Sequence, residues 1–247
     1  MNDDDLRFGG LARLYGADGL HRLLKSRVCV VGIGGVGSWA AEALARSAVG
    51  DITLVDLDDV CLSNVNRQLH ALEGAMGRPK VEVMAERIRA IHPGCSVTRV
   101  ADFFSESTAE EILREGFDFV CDAIDQVANK CLLIARCRQK EIPIICAGGA
   151  GGRRDPAAMQ VADLARTSHD GLLQKVRKKL RDDYSFPRDP KAPFGVPCVF
   201  SAEPAAVPAS GCAGRITCDN GYGTAGFVTG AMGLVAASRI VTSIAAG

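Results

Sequence analysis

No Cys-x-x-Cys pair occurs in this chain, although it carries ten cysteines. Paired thiolates at that spacing frame structural zinc sites, so no zinc is expected. Net charge is lacking too: 29 Lys and Arg face 29 Asp and Glu. That balance excludes the global basic signature of a nucleic-acid binder, so any such surface has to be a local patch. The N-terminus, MNDDDLRF, shows no apolar stretch of a secretory leader, and a cytoplasmic location is expected. The cysteines agree with a reducing compartment. Cys29, Cys121 and Cys146 lie in apolar, strand-like runs, as small buried hydrophobes do. No internal repeat is visible.

What is present suits one sizeable α/β domain over 1–247. A strand over 27–32, a glycine loop, a helix over 36–47 and a strand over 51–56 form a Rossmann-like mononucleotide-binding half. A helix over 80–91, a strand over 96–100, a short helix over 109–115 and a strand over 118–122 follow. Next come a helix over 126–140, capped by Asp125, and a strand over 142–147. Such alternation predicts a doubly wound, mostly parallel sheet covered on both faces. Residues 1–152 read as the nucleotide-binding part. Residues 153–247 read as a substrate, crossover and C-terminal interface part, where the rhythm changes. A strand over 160–163 and a charged helix over 170–183 precede a long irregular connection over 185–214. The apolar run over 225–246 is long enough to span a bilayer. Its many small residues, Arg239 and the missing basic flank favour a buried or dimer-interface helix over membrane association.

Gly32, Gly34 and Gly37 fit G-x-G-x-x-G, with Gly35 an extra. Glycines there allow a tight turn and let backbone N–H groups approach phosphate oxygens at a helix N-terminus. Asp56 ends the next strand, where it can accept from ribose hydroxyls. These features do not separate NAD from ATP. Arg67 and Lys80 do: hydride transfer needs no cations here, whereas cleavage of a triphosphate builds charge that cations stabilise. Lys80 opens a helix, against the macrodipole, so its placement wants a reason. Asn64 and Asn66 read as turn residues or as ribose and phosphate donors. Asp122 and Asp125 sit at a strand's C-terminal end, over the crevice where doubly wound sheets bind ligands. Asp125 is the candidate Mg2+ ligand. Asp58, Asn64, Gln68 and Asp122 complete the candidate ATP-binding set.

The segments RFGG…YG, VVGIGGVGSW, DLDDV, NVNRQ, RPK and DAID, in this order and spacing, resemble the ubiquitin-activating (E1-like) superfamily. The resemblance covers roughly the first 150 residues and implies ATP-dependent adenylation of a carboxylate. It places the phosphate-contacting arginine on Arg67, the catalytic lysine on Lys80, the metal-binding aspartate on Asp125 and the ribose aspartate on Asp56. Activators of ubiquitin-like sulfur carriers carry paired Cys-x-x-Cys motifs, absent here. They also begin Arg-aromatic-x-Arg, where the second arginine reaches the partner subunit's ATP. Here Gly10 stands at that place, leaving Arg7 or Arg13 as the in-trans candidate.

These departures, with FGGLARLYG, NRQLHAL, AGGAGGRRDP and CVFS, are more similar to one subgroup, the tRNA threonylcarbamoyladenosine dehydratases. That likeness runs nearly end to end. It implies adenylation of the threonyl carboxylate of N6-threonylcarbamoyladenosine at tRNA position 37. An internal nitrogen then closes the ring. It also implies a homodimer, with a sulfur-transfer protein as a further candidate partner, and no DNA. Candidate tRNA contacts are Arg153, Arg154, Lys175, Lys178 and Lys179, although a solvated helix face is the usual fate of such a run. Cys218 is a candidate acyl acceptor, or simply a partly buried thiol. The rival readings are a sulfur-carrier activator, an NAD-dependent oxidoreductase, and a non-catalytic scaffold.

Overall fold

The computed structural model describes residues 3–114, 116–189, 191–206 and 222–247. The strands are β1 (Arg27–Val31), β2 (Asp51–Val55), β3 (Ser96–Val100), β4 (Phe119–Asp122), β5 (Ile144–Ala147), β6 (Met159–Asp163) and β7 (Pro197–Ser201). They form one sheet in the order β3-β2-β1-β4-β5-β7-β6. Among the described strands, only the β6–β7 pair is antiparallel. Strands β4 and β5 are buried along their whole length, as strands covered on both faces must be. The sheet grows one way from β1 through β2 and β3, and the other way through β4 and β5. The chain therefore switches direction between β1 and β4, where Val31 pairs with Asp122.

The helices are α1 (Asp3–Lys25), α2 (Gly37–Arg46), α3 (Lys80–Ile91), α4 (Ala109–Ile112), α5 (Val127–Gln139), α6 (Gly171–Asp183) and α7 (Gly226–Ala246). Helix α7 is long and apolar enough to cross a membrane, yet half of that stretch is buried within the fold. Val228, Met232, Ile240 and Val241 lie in the core. Each such residue contributes about 1.5–3 kcal/mol by leaving water. The neighbours of α7 are α2, α1 and the sheet.

Two expectations change, and one helix forms where none was expected. Residues 185–214 are not wholly irregular, because β7 lies within them and bridges β5 to β6. Helix α1 has no strong sequence signal: it is polar, glycine-bearing and kinked at Gly16 (φ 78°). Its C-terminal end is tied to α7, where Arg22 Nε donates to the Ile244 carbonyl at 3.2 Å. Finally, α5 starts at Val127 with Gln126 in the N-cap position, so Asp125 does not cap it.

Candidate active site

A pocket of about 530 Å3 opens over the switch point, at the C-terminal ends of β1, β2, β4 and β5. That is where open α/β sheets bind ligands. Its floor is the glycine loop between β1 and α2. Gly32 has φ 89°, and a Cβ there would lie 2.9 Å from the Ala123 carbonyl oxygen. A Cβ on Gly37 would fall 1.8 Å from the Gly32 carbonyl oxygen. Neither position tolerates a side chain. Gly34 and Gly35 line the cavity, and the N-terminus of α2 adds a dipole that favours phosphate.

Asp56, just past β2, fixes this loop. Its Oδ2 accepts from the Ile33 N–H at 2.6 Å and its Oδ1 from the Asp58 N–H at 2.9 Å. Burial pushes its carboxyl pKa up, which Lys80 and these two amides partly offset. A carboxylate has about four acceptor directions, so capacity remains for hydroxyls.

Lys80 opens α3 and is almost wholly buried, at 5% exposure. Its Nζ donates to Asp58 Oδ2 at 2.7 Å. Asp58 thus supplies the counter-charge that lets an ammonium sit at a helix N-terminus.

The NVNRQ run is clamped from three sides. The Arg67 carbonyl accepts from Trp39 Nε1 at 3.2 Å and from Thr229 Oγ1 at 3.1 Å. Asn66 Nδ2 donates to the Thr224 carbonyl at 2.9 Å. The Arg67 guanidinium is braced by the Ser63 carbonyl (2.6 Å) and Asn66 Oδ1 (2.9 Å), and it lines the pocket. Asn64 is a turn residue, since its Oδ1 accepts from the Cys61 N–H at 3.0 Å, and it also lines the pocket. Gln68 is buried beside it, and its Oε1 has no partner among the described residues.

Asp125 also lines the pocket and is exposed. Asp122 is not with it. Both it and Lys130 are 0% exposed, 3.0 Å apart, beneath the pocket rather than in it. This corrects its expected role as an ATP contact. Lys130 Nζ also donates to the Ile124 carbonyl at 3.0 Å, and Asp122 Oδ1 accepts from the Ile124 N–H at 3.0 Å. Burial works against the Lys130 charge, yet Asp122 beside it holds the pKa above its ordinary value. The pair pins the turn that presents Asp125.

The peripheral candidates are scattered. Arg7 donates to the Ile91 carbonyl at 2.9 Å, whereas Arg13 is exposed; neither lines the pocket of its own chain. Arg153 is 4% exposed and donates to the His169 carbonyl, so it is not on the surface a tRNA would touch. Arg154 is exposed. Lys175 and Lys178 are exposed on α6, while Lys179 turns aside to pair with Asp183 at 2.5 Å. Cys218 lies outside the described residues. Burial raises the thiol pKa values of Cys29 and Cys146 well above ordinary and that of Cys121 to about 12, so these three are inert packing.

Several lining residues went unread in the sequence: Asp102, Phe103 and Phe104 after β3, the 148–151 wall after β5, Asn129, Leu172, Thr224 and Thr229. The strand-end rule would have found the first two groups. No local signal marks Thr224 or Thr229, which arrive from the segment leading into α7 and from its first turn.

His70 is 1% exposed, and neither ring nitrogen has a hydrogen-bond partner among the described residues. Burial, and after it Lys80, pulls its pKa down to about 4. The folded state therefore prefers neutral imidazole. Its contribution is fully present above the ordinary value of 6.5 and is lost as pH falls toward 4. His70→Gln should flatten the acid side of the stability curve. Relative to wild type, denaturant unfolding should show a gain growing to about 3 kcal/mol by pH 4. Parallel curves would refute this.

Fold and pocket together define a protein of the doubly wound α/β class with a switch-point pocket lined by a glycine loop, two cations and carboxylates. The chain belongs to the ThiF family, whose match runs over residues 10–246. It is 48% identical to the tRNA threonylcarbamoyladenosine dehydratase of Haemophilus influenzae over 248 residues, covering 99% of this chain and 95% of that one. Two solved structures of the Escherichia coli tRNA N6-threonylcarbamoyladenosine dehydratase superpose on it with a TM-score of 0.91 and 47% identity. One is in complex with AMP and one with ATP. They cover 99% of this chain, which spans 97% and 96% of theirs.

Proposed function

We propose that this chain is an ATP-dependent tRNA threonylcarbamoyladenosine dehydratase. The observation that carries the reading is that one pocket brings together Gly32, Asp56, Arg67, Lys80 and Asp125, in a chain so similar to enzymes of that name. The glycine loop and α2 receive phosphates, and Asp56 takes the ribose. The threonyl carboxylate attacks the α-phosphorus. An oxygen–phosphorus bond forms, the bond to the β-phosphate oxygen breaks, and pyrophosphate leaves. Arg67 and Lys80 stabilise the charge that builds on those oxygens. The internal nitrogen then attacks the activated carbonyl, loses its proton, and expels AMP. Ring closure is intramolecular, so proximity favours it without a protein nucleophile.

Asp125 fits Mg2+, which commonly takes one or two carboxylates plus substrate phosphates. The ion would neutralise phosphate charge there. A cytoplasmic location follows from a tRNA substrate. We also read a homodimer from exposed apolar residues on adjoining helices, Leu6 and Leu14 on α1, Phe227 and Leu234 on α7. Of the in-trans candidates, Arg13 is favoured, because Arg7 is engaged by the end of α3. A monomer mass in sedimentation equilibrium would refute the dimer.

The test supplies purified protein with ATP, Mg2+ and tRNA carrying the open base. Nucleoside mass spectrometry should show loss of one water from that base, with AMP and pyrophosphate formed. Asp125→Ala should slow this by roughly 100-fold or more and leave the melting temperature unchanged. A chain that forms no cyclic base under these conditions would overturn the reading. Adenylation of a sulfur carrier's C-terminus in its place would establish the rival.

A further inference from the structure

Helix α6 is amphipathic. Leu173, Val176 and Leu180 are buried, and the opposite face carries cations. Gln174, Lys175, Arg177, Lys178, Arg181 and Arg188 with Asp182 line a second, shallow cavity of about 590 Å3. Five of these side chains are positive and one is negative. Two of the cations are braced as if to hold a shape. Arg181 lies over the Phe194 ring at 5.1 Å and donates to the Pro187 carbonyl at 3.1 Å. Arg177 donates to Thr167 Oγ1 and to the Leu164 carbonyl. Burial, then Arg181 beside it, pulls the Arg177 pKa down, a strain that an anion in the groove would relieve. Among the described residues, Lys175 and Lys178 have no carboxylate partner. Asp182, 3.8 Å from Arg188 and half exposed, offsets one of the five positive charges and leaves the groove strongly cationic. In a chain with zero net charge, this is a built concentration of one sign.

The groove is also tied to the active pocket. Leu172, on the first turn of α6, lines that pocket. Asp170 caps α6 through the Leu173 N–H (2.9 Å) and holds the Gly149 N–H of the pocket wall (2.8 Å). Helix α6 therefore leaves the active pocket at a fixed angle. Arg181 lies nine helical steps beyond Leu172, about 14 Å along the axis. That reach corresponds to a few nucleotides of RNA backbone.

We propose that the α6 groove holds the phosphates of the RNA strand flanking the reacting adenosine, with Lys175, Lys178 and Arg188 as the outer contacts and Arg177 and Arg181 as the fixed ones. This rests on the tRNA reading above and specifies where the substrate lies. It replaces Arg153 and Lys179 as contacts, since Arg153 is buried and Lys179 lies outside the groove lining, held by Asp183 at 2.5 Å.

The test compares wild type with Lys175→Ala/Lys178→Ala/Arg188→Ala. As a control, Arg89→Ala/Arg99→Ala removes two cations on α3 and β3, at the far edge of the sheet. Affinity for the substrate tRNA is read by fluorescence anisotropy across a salt series, and ATP affinity by calorimetry. The triple variant should bind tRNA on the order of tenfold more weakly. Its slope of log affinity against log salt should be smaller by about 2–3, with ATP binding unchanged. The control should match wild type. An unchanged tRNA affinity and slope in the triple variant, or an equal loss in the control, would overturn the groove. Failure of the tRNA reading itself would show separately, as wild-type protein that forms no cyclic base.

Discussion

Lys80→Ala is expected to cut adenylate formation by about 100- to 1,000-fold while leaving the fold intact. The ammonium is buried, but its partner Asp58 is half exposed, so water takes over the carboxylate when the lysine is gone. The pair is therefore worth only ~1 kcal/mol or less to stability. Its catalytic worth is larger, because the charge on the phosphate oxygens grows as pyrophosphate departs. An interaction that strengthens in the transition state lowers kcat when removed, more than it raises KM. Lys80→Arg should not restore activity, since a planar guanidinium is larger than the ammonium that sits almost wholly buried against Asp58. ATP–pyrophosphate exchange gives the rate, and thermal melting gives the control. Exchange within a few-fold of wild type in Lys80→Ala would refute a catalytic role.

The nucleotide half was legible in the sequence because its signals are local. The glycine loop is a steric requirement that two or three neighbouring residues express, and Gly32 and Gly37 show it in the close approach of their backbones. Helix α3 and strand β3 begin and end where periodicity places them. Strand β7 was missed because a buried strand of five residues behind a proline has no alternation to betray it. Asp122 and Asp125 looked equivalent in DAID. Strand pairing separates them: Asp122 is the last paired residue of β4 and points into the interior, whereas Asp125 lies beyond it in the turn. Nothing in the sequence told that Lys130, in the first turn of α5, would come back to meet Asp122. The clamp on Arg67 was illegible for the same reason, since Trp39 and Thr229 reach it from 28 and 162 residues away.

Lys130→Met should be the most destabilising single change in the site. It leaves a fully buried Asp122 without its counter-charge, a loss of about 3–5 kcal/mol. For a chain of this size that lowers the melting temperature by roughly 10 °C. Lys130→Met/Asp122→Leu removes both charges, and buried pairs replaced by apolar groups commonly regain stability. The double variant should therefore melt within a few degrees of wild type. Activity should not return with it. Lys130 also donates to the Ile124 carbonyl, and Asp122 accepts from the Ile124 N–H, so the double variant loses both bonds that shape the turn carrying Asp125. A misplacement of about 1 Å can cost roughly 100-fold in rate. The expected pattern is a stable enzyme with slow cyclisation and a higher Mg2+ requirement, read by calorimetry and by AMP release across a Mg2+ titration. Recovery of full activity along with stability would reduce Lys130 to a core-filling residue. A stable single variant would mean that the charge of Asp122 is met in some other way.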